Sequence, residues 1–175
     1  MYKNEIIKYI SKLKMIKDRD NIALISSESN SVDIKTKAAK RSAFIKGYIN
    51  DFPDADIEFS NINYNTLLKI KEYLEHYENS EPKRIAMPLP NNNFKECVDD
   101  WDYNFIDLKN EDIFEIMNAA NFMAIQPLLD LSCAKIASLI KGKNEKEIRN
   151  LFNMKDDNKD NEDEISTQED EDDIE

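Results

Sequence analysis

The sequence predicts a mostly helical α/β protein with a small three-stranded sheet, a helical C-terminal extension and a disordered acidic tail. Three observations carry this. Short runs containing Val and Ile, bounded by Ser, Asn and Asp, precede residue 62 and read as strands. After residue 62, apolar residues recur three and four apart, the spacing of one helix face. Only 2 of the 175 residues are Gly, which leaves little for glycine-rich phosphate loops or tightly turned barrels.

Residues 1–20 form an N-terminal extension in which Ile6, Ile7, Ile10, Leu13 and Ile16 are separated by polar residues. That spacing predicts a helix with a basic polar side, packed on its own domain or partly disordered, with docking on a partner or membrane surface as the alternative. Asn21–Ile25 and Ser31–Lys35 read as strands joined by the turn residues Ser27, Glu28, Ser29 and Asn30. Val32 and Ile34 alternate with polar neighbours, as in a half-buried strand. Thr36 is placed to cap a helix through residue 40, and Ser42 a second through residue 50. Residues 56–61 read as the third strand. Asn63 is placed to open a helix to about residue 77, with Leu67, Ile70, Leu74 and Tyr77 on one face. Pro82, Pro88, Pro90 and three consecutive asparagines make residues 78–93 a loop, because Pro removes the backbone donors a helix needs.

Three helices follow. The first, residues 111–121, carries Ile113, Phe114 and Met117. The second has Pro127 in its first turn, where a missing N–H costs nothing, and runs to about residue 141 with Gly142 placed to end it. Asn144 and Glu147 have the spacing of a capping box and open a short helix bearing Ile148, Leu151 and Phe152.

The net charge is −12. Residues 155–175 hold 12 acidic residues against 2 lysines, so the tail carries −10 and the body about −2. Self-repulsion and the lack of a burial face predict disorder in the tail. The nearly neutral body offers no positive field to a phosphate backbone, which argues against nucleic-acid binding. No apolar stretch approaches the roughly 20 residues of a membrane span. No apolar run marks a signal peptide either, so cytoplasmic and nuclear residence is expected.

Catalytic chemistry finds little support. His76 is the only histidine and falls late in a helix, where the dipole favours an exposed cation. Cys97 and Cys133 are far apart, in no metal-ligand spacing, and read as reduced thiols. No metal, no cofactor and no catalytic residue is expected. Trp101, flanked by Asp99, Asp100 and Asp102, reads as packing a helix start onto the core. The apolar residues Phe114, Met117, Cys133, Ile136, Ile140, Ile148, Leu151 and Phe152 either build one core or form a partner surface that the acidic tail cannot cover.

One segment is specific enough to name a family. Asp112 to Phe122, DIFEIMNAANF, resembles the LFELILAANYL segment of the S-phase kinase-associated adaptor family, the small linkers of SCF ubiquitin ligases. Leu128-Leu129-Asp130-Leu131-Ser132-Cys133, Ile140-Lys141-Gly142-Lys143, Glu147-Ile148-Arg149 and Phe152-Asn153 continue the likeness in register. Ser26-Ser27, Ala39-Lys40-Arg41-Ser42, Asn61-Ile62-Asn63 and Asp100-Trp101-Asp102 follow the family's order more loosely. The likeness spans roughly residues 21–154.

The resemblance implies a BTB/POZ-like domain over residues 21–95, helices over 96–154 that complete it and bind an F-box, and a separate tail over 155–175. It implies that Asn121 and Phe122 dock the N-terminal helices of a cullin. Phe114, Met117, Cys133, Ile136, Ile140, Ile148, Leu151 and Phe152 are then the F-box-binding residues. A weak homodimer when no F-box is bound is a further expectation. The alternatives are a BTB-type self-associating scaffold or an elongin C-like adaptor; the latter lacks the two last helices that this chain has.

The chain also departs from the pattern. No Trp follows Trp101, where relatives have a tryptophan-bearing terminal helix. The family's Thr-Pro-Glu-Glu helix start is Asn144-Glu145-Lys146-Glu147, so no proline hydroxylation is expected there. The family's tyrosine is Phe122, and its acidic loop is shortened to Phe52-Pro53-Asp54-Ala55-Asp56. Ser166 and Thr167 each have an acidic residue three positions on, a pattern for acidophilic phosphorylation or simply part of a solubilising tail.

Overall fold

The structure is a computed structural model that describes residues 19–90 and 93–152. The readings of residues 1–18 as a helix, of the acidic tail as disordered and of Ser166 and Thr167 as phosphoacceptors lie outside the described residues. The described chain falls into two compact units that divide after Lys141.

The first unit begins with β1 (Asn21–Ile25) and β2 (Ser31–Lys35), an antiparallel pair with Ile22 opposite Ile34 and Leu24 opposite Val32. These four side chains are buried on one face, while Asn21, Ser31, Asp33 and Lys35 are exposed, the alternation of a one-sided sheet. Ser29 makes the turn at φ 64°, and Ser26 Oγ accepts the Asn30 N–H at 3.2 Å. Two helices follow, α1 (Thr36–Ala39) and α2 (Ala43–Asp51). They provide the crossover to β3 (Ile57–Glu58), which lies parallel to β1 at the other edge.

The third strand is shorter than the predicted 56–61. Phe59 N–H still reaches the Ile25 carbonyl at 2.8 Å, but the chain then turns to bring Asn63 to the start of the next helix. Thr36 does not cap α1. Lys35 is the N-cap, Thr36 is the first helical residue, and its buried Oγ1 has no hydrogen-bond partner. Ser42 does cap α2, accepting the Ile45 N–H at 3.0 Å.

Helix α3 (Tyr64–His76) is capped by Asn63 Oδ1, which accepts from Thr66 N–H at 2.8 Å. Leu67, Ile70, Tyr73 and Leu74 are buried at helical spacing. Through residue 90 the described loop has no helix or strand, as predicted. Its start is tied to β2 and α1 by Glu78, which pairs with Lys35 at 3.3 Å and Lys37 at 3.5 Å. A short α4 (Phe94–Cys97), which the sequence reading did not place, precedes α5 (Asp100–Phe105).

Trp101 packs partly buried against the core, as expected. His76 is exposed at the end of α3, yet it is not merely among polar residues. Its ring stacks on Trp101 with centroids 3.6 Å apart and planes at 2°. Beneath them, Tyr77 donates its hydroxyl to buried Asp102 at 2.9 Å. Burial pushes the Asp102 carboxyl above its ordinary range, with Asp99 adding to the effect and the Tyr77 hydrogen bond opposing it.

Helices α6 (Asn110–Phe122) and α7 (Gln126–Ile140) complete the unit and pack on each other. Ile113, Ile116, Ala120, Leu128 and Leu131 are fully buried between them and the rest of the core. Each of these Ile and Leu side chains contributes about 1.5–3 kcal/mol of burial free energy. Lys135 is buried as well, paired with Asp107 at 3.1 Å and lying over the Phe94 and Tyr103 rings.

The second unit contains α8 (Glu145–Leu151). Its capping box is complete: Asn144 Oδ1 accepts from Glu147 N–H at 3.0 Å, and Glu147 accepts from Asn144 N–H at 2.8 Å. Gly142 has φ +77°, the left-handed conformation expected of a residue that ends a helix.

Candidate protein-binding faces

The N-terminus of α2 meets the C-terminus of α6. The first N–H groups of α2, on Ala43 and Phe44, point at the carbonyls of Ala124 (3.5 Å) and Met123 (3.4 Å), which end α6. Orphan donors of one helix thus meet orphan acceptors of the other, and the two dipoles complement each other. Ser42 tightens the junction by donating its hydroxyl to the Met123 carbonyl at 2.6 Å. Ala124, at φ 51°, turns the chain there.

This junction places Phe122 beside Phe44, with ring centroids 5.2 Å apart, and edge-on to Phe59 at 6.2 Å. The row continues along α2: Phe44 to Tyr48 at 6.3 Å, then Tyr48 to Phe52 at 5.2 Å. Phe122 is 47% exposed and Phe52 57%. Large aromatics standing this open on a folded surface mark a binding face. The sequence reading nominated Phe122 but missed Phe44, Tyr48 and Phe52. Their four-residue spacing is a helical aromatic stripe, and that was the available signal.

Asn121 is exposed too, but it does not join this strip. Consecutive helical residues leave the axis about 100° apart. Asn121 therefore shares a stripe of α6 with Phe114 and Met117, seven and four residues before it. Phe122 instead shares a cleft of about 240 Å3 with Asn118, Asn61 and Asn63. At its margin Glu115 accepts from Asn63 Nδ2 at 2.5 Å and Thr66 Oγ1 at 2.9 Å.

The second face lies on α6 and α7. Phe114, Met117, Cys133, Ile136 and Ile140 are all half-buried. Cys133, Ile136 and Ile140, with half-buried Leu129, follow 4-3-4 spacing along one side of α7, away from core residues Leu128, Leu131 and Ala134. Burial pushes the Cys133 thiol up, as expected of an unreactive cysteine. The face is thus less open than a free apolar patch. Among described residues the large exposed apolar side chains are Phe52, Leu68, Met87 and Phe122. In the second unit, Ile148, Leu151 and Phe152 are half-buried. No group of three or more His, Cys, Asp or Glu among the described residues could hold a metal ion.

The comparisons with known proteins decide the family. Residues 20–79 match the family model described as "Skp1 family, tetramerisation domain", and residues 126–173 match "Skp1 family, dimerisation domain". An S-phase kinase-associated protein 1 homolog of Tetrahymena thermophila is 43% identical over 145 residues, 82% of this chain and 87% of that protein. The chain belongs to the Skp1 family. The protein named E3 ubiquitin ligase complex SCF subunit sconC in Arthroderma benhamiae is 35% identical over 140 residues, covering 79% of this chain and 85% of that one. Its namesake in Talaromyces marneffei is 33% identical over 138 residues, covering 78% and 86%.

The first Skp1-family match contains Phe44, Tyr48, Phe52 and Phe59. The second contains the α7 stripe and α8, and it runs on into the acidic residues. Helix α6, with Phe114, Met117, Asn121 and Phe122, lies between the two matched stretches.

Proposed function

We propose that this chain is the adaptor subunit of an SCF-type E3 ubiquitin ligase. It bridges the N-terminal helices of a cullin to the F-box of a substrate receptor. The observation that carries the reading is an aromatic strip on a chain of the Skp1 family, with Phe52 and Phe122 exposed at its ends and half-buried Phe44 and Tyr48 between them. The names of the Arthroderma and Talaromyces relatives as SCF subunits support it.

The aromatic strip docks the cullin, with Asn121 at its rim. Phe114, Met117, Cys133, Ile136 and Ile140 hold the F-box, joined by Ile148, Leu151 and Phe152 of the last helix. Such a bridge accelerates ubiquitin transfer by holding reactants together in another protein's active site. The adaptor then has no catalytic role of its own, and it works in cytoplasm and nucleus.

Affinity purification of the tagged full chain from its own cells tests this. Cullin and F-box sequences are expected among the recovered partners. Recovery of neither, or of self-associated chain alone, overturns the reading in favour of a self-associating scaffold.

A further inference from the structure

The aromatic strip ends where the chain enters the fold. Arg19, the first described residue, donates from Nη1 to the carbonyls of Asp54 and Ala55, each at 3.5 Å, and pairs through Nη2 with Asp56 at 2.5 Å. The Asp56 carbonyl also accepts the Tyr48 hydroxyl at 3.5 Å, and Ala55 N–H reaches back to the Phe52 carbonyl at 3.2 Å. The attachment point of residues 1–18 is therefore beside Tyr48 and Phe52, at one end of the strip. The first Skp1-family match begins at residue 20, so the family models describe no counterpart of this segment.

Three features fit the segment to the strip. Its apolar residues Ile6, Ile10 and Leu13 recur at helical spacing, and the strip offers them rings, of which Phe52 and Phe122 are the exposed ones. Its length suffices: even at the helical rise of about 1.5 Å per residue, 18 residues span about 27 Å, while successive rings from Phe122 to Phe52 stand only 5.2, 6.3 and 5.2 Å apart. Its charge is complementary. In the segment 5 lysines against Glu5 and Asp18 leave +3, whereas residues 51–58 hold Asp51, Asp54, Asp56 and Glu58, all exposed, and no cation. The acidic tail, at −10, has the wrong sign for that end of the strip.

We propose that residues 1–18 of the same chain lie along the aromatic strip, apolar side on the rings and lysines toward Asp51, Asp54 and Glu58, so that a cullin has to displace them. The first half stands on the strip itself; the second rests on the adaptor reading. Tethering supplies an effective concentration of about millimolar, so even a weak contact stays occupied. A competitor then meets only the fraction of molecules whose strip is open, and its apparent affinity falls by that fraction.

The test uses the full chain and a purified cullin N-terminal domain. Carbodiimide joins a lysine to a carboxylate only where the two touch. Links from Lys8, Lys12 or Lys14 to Asp51, Asp54 or Glu58 are expected; Lys17 is left out because its place next to Arg19 brings it there regardless. A mixture of 14N- and 15N-labelled chains separates links within a chain from links between copies. Ile10→Ser with Leu13→Ser removes the apolar grip without changing charge and touches no described residue of the core. It should cut the links at least fivefold and raise cullin affinity about threefold or more. Links that avoid residues 51–58, or that join separate copies, overturn the proposal. So does a smaller gain in cullin affinity, or none; a loss would make the segment part of the cullin site instead. If neither chain binds the cullin domain, the cullin reading falls, and the links alone decide whether the segment covers the strip.

Discussion

The Ser42 hydroxyl donates to the Met123 carbonyl at 2.6 Å and at the same time accepts the Ile45 N–H at 3.0 Å. One buried side chain thereby caps α2 and pins it to the end of α6, 81 residues away in sequence. Ser42→Ala would leave both groups without that partner in the interior. We expect a loss of about 1–3 kcal/mol of stability, read by urea denaturation. Cullin affinity should fall as well, because the same junction positions Phe44 against Phe122. A stability change below about 0.5 kcal/mol would show that the junction does not depend on this hydroxyl.

The aromatic strip makes a separable prediction. Asn121→Lys combined with Phe122→Lys should abolish cullin binding and leave F-box binding intact. The single changes should differ: Phe122→Ala is expected to cost about 2 kcal/mol, and Asn121→Ala less, since the two side chains leave α6 in different directions. Phe52→Ala should also weaken the cullin. Surface plasmon resonance with a cullin N-terminal domain reads all four, and a double variant that retains the cullin contradicts the assignment.

On the other face, Phe114→Ala and Ile136→Ala should each weaken F-box binding about 10-fold while the chain stays folded. Circular dichroism alongside the binding titration distinguishes the outcomes. Variants that unfold would make these half-buried residues core rather than contact.

Asp102 predicts a pH dependence. Its carboxyl titrates above the ordinary 3.8 because burial disfavours the anion. The folded state therefore binds the proton more tightly than the unfolded state does. This contribution is fully present below the unfolded value and is lost as pH rises through the folded one. Asp102→Asn keeps an acceptor for Tyr77 and removes the buried charge. The variant should be the more stable at neutral pH, with its advantage shrinking as pH falls toward about 4. Denaturant midpoints across that range check the sign; an advantage that grows toward acid refutes it.

The two glycines predict opposite signs. Gly47 lies inside α2 with open space around a built Cβ, so Gly47→Ala should stabilise by about 0.5–1 kcal/mol. Gly142 has equally open space but φ +77°, so Gly142→Ala should destabilise the helix end by about 1 kcal/mol. Thermal melts of the two variants should move apart.

Much was legible in one dimension, for a physical reason. Caps and periodicity are local: Ser42, Asn63 and the Asn144–Glu147 box each act within four residues, and the sequence determined them correctly. The alternation in β2 and the apolar stripe of α3 are local patterns of the same kind. The run from Asp112 to Phe122 also led to the family that the comparisons then showed. What only the tertiary structure decided depends on groups distant in sequence. Whether Phe122 stands on a strip with Phe44, Tyr48 and Phe52 follows from two helix ends meeting. That His76 lies on Trp101 follows from α5 folding back on α3. Thr36 had the right side chain for a cap, yet Lys35 took that place because β2 runs directly into α1. The stretch of chain around Met87 reads as plain loop, and only its packing against α7 makes it the wall of a groove.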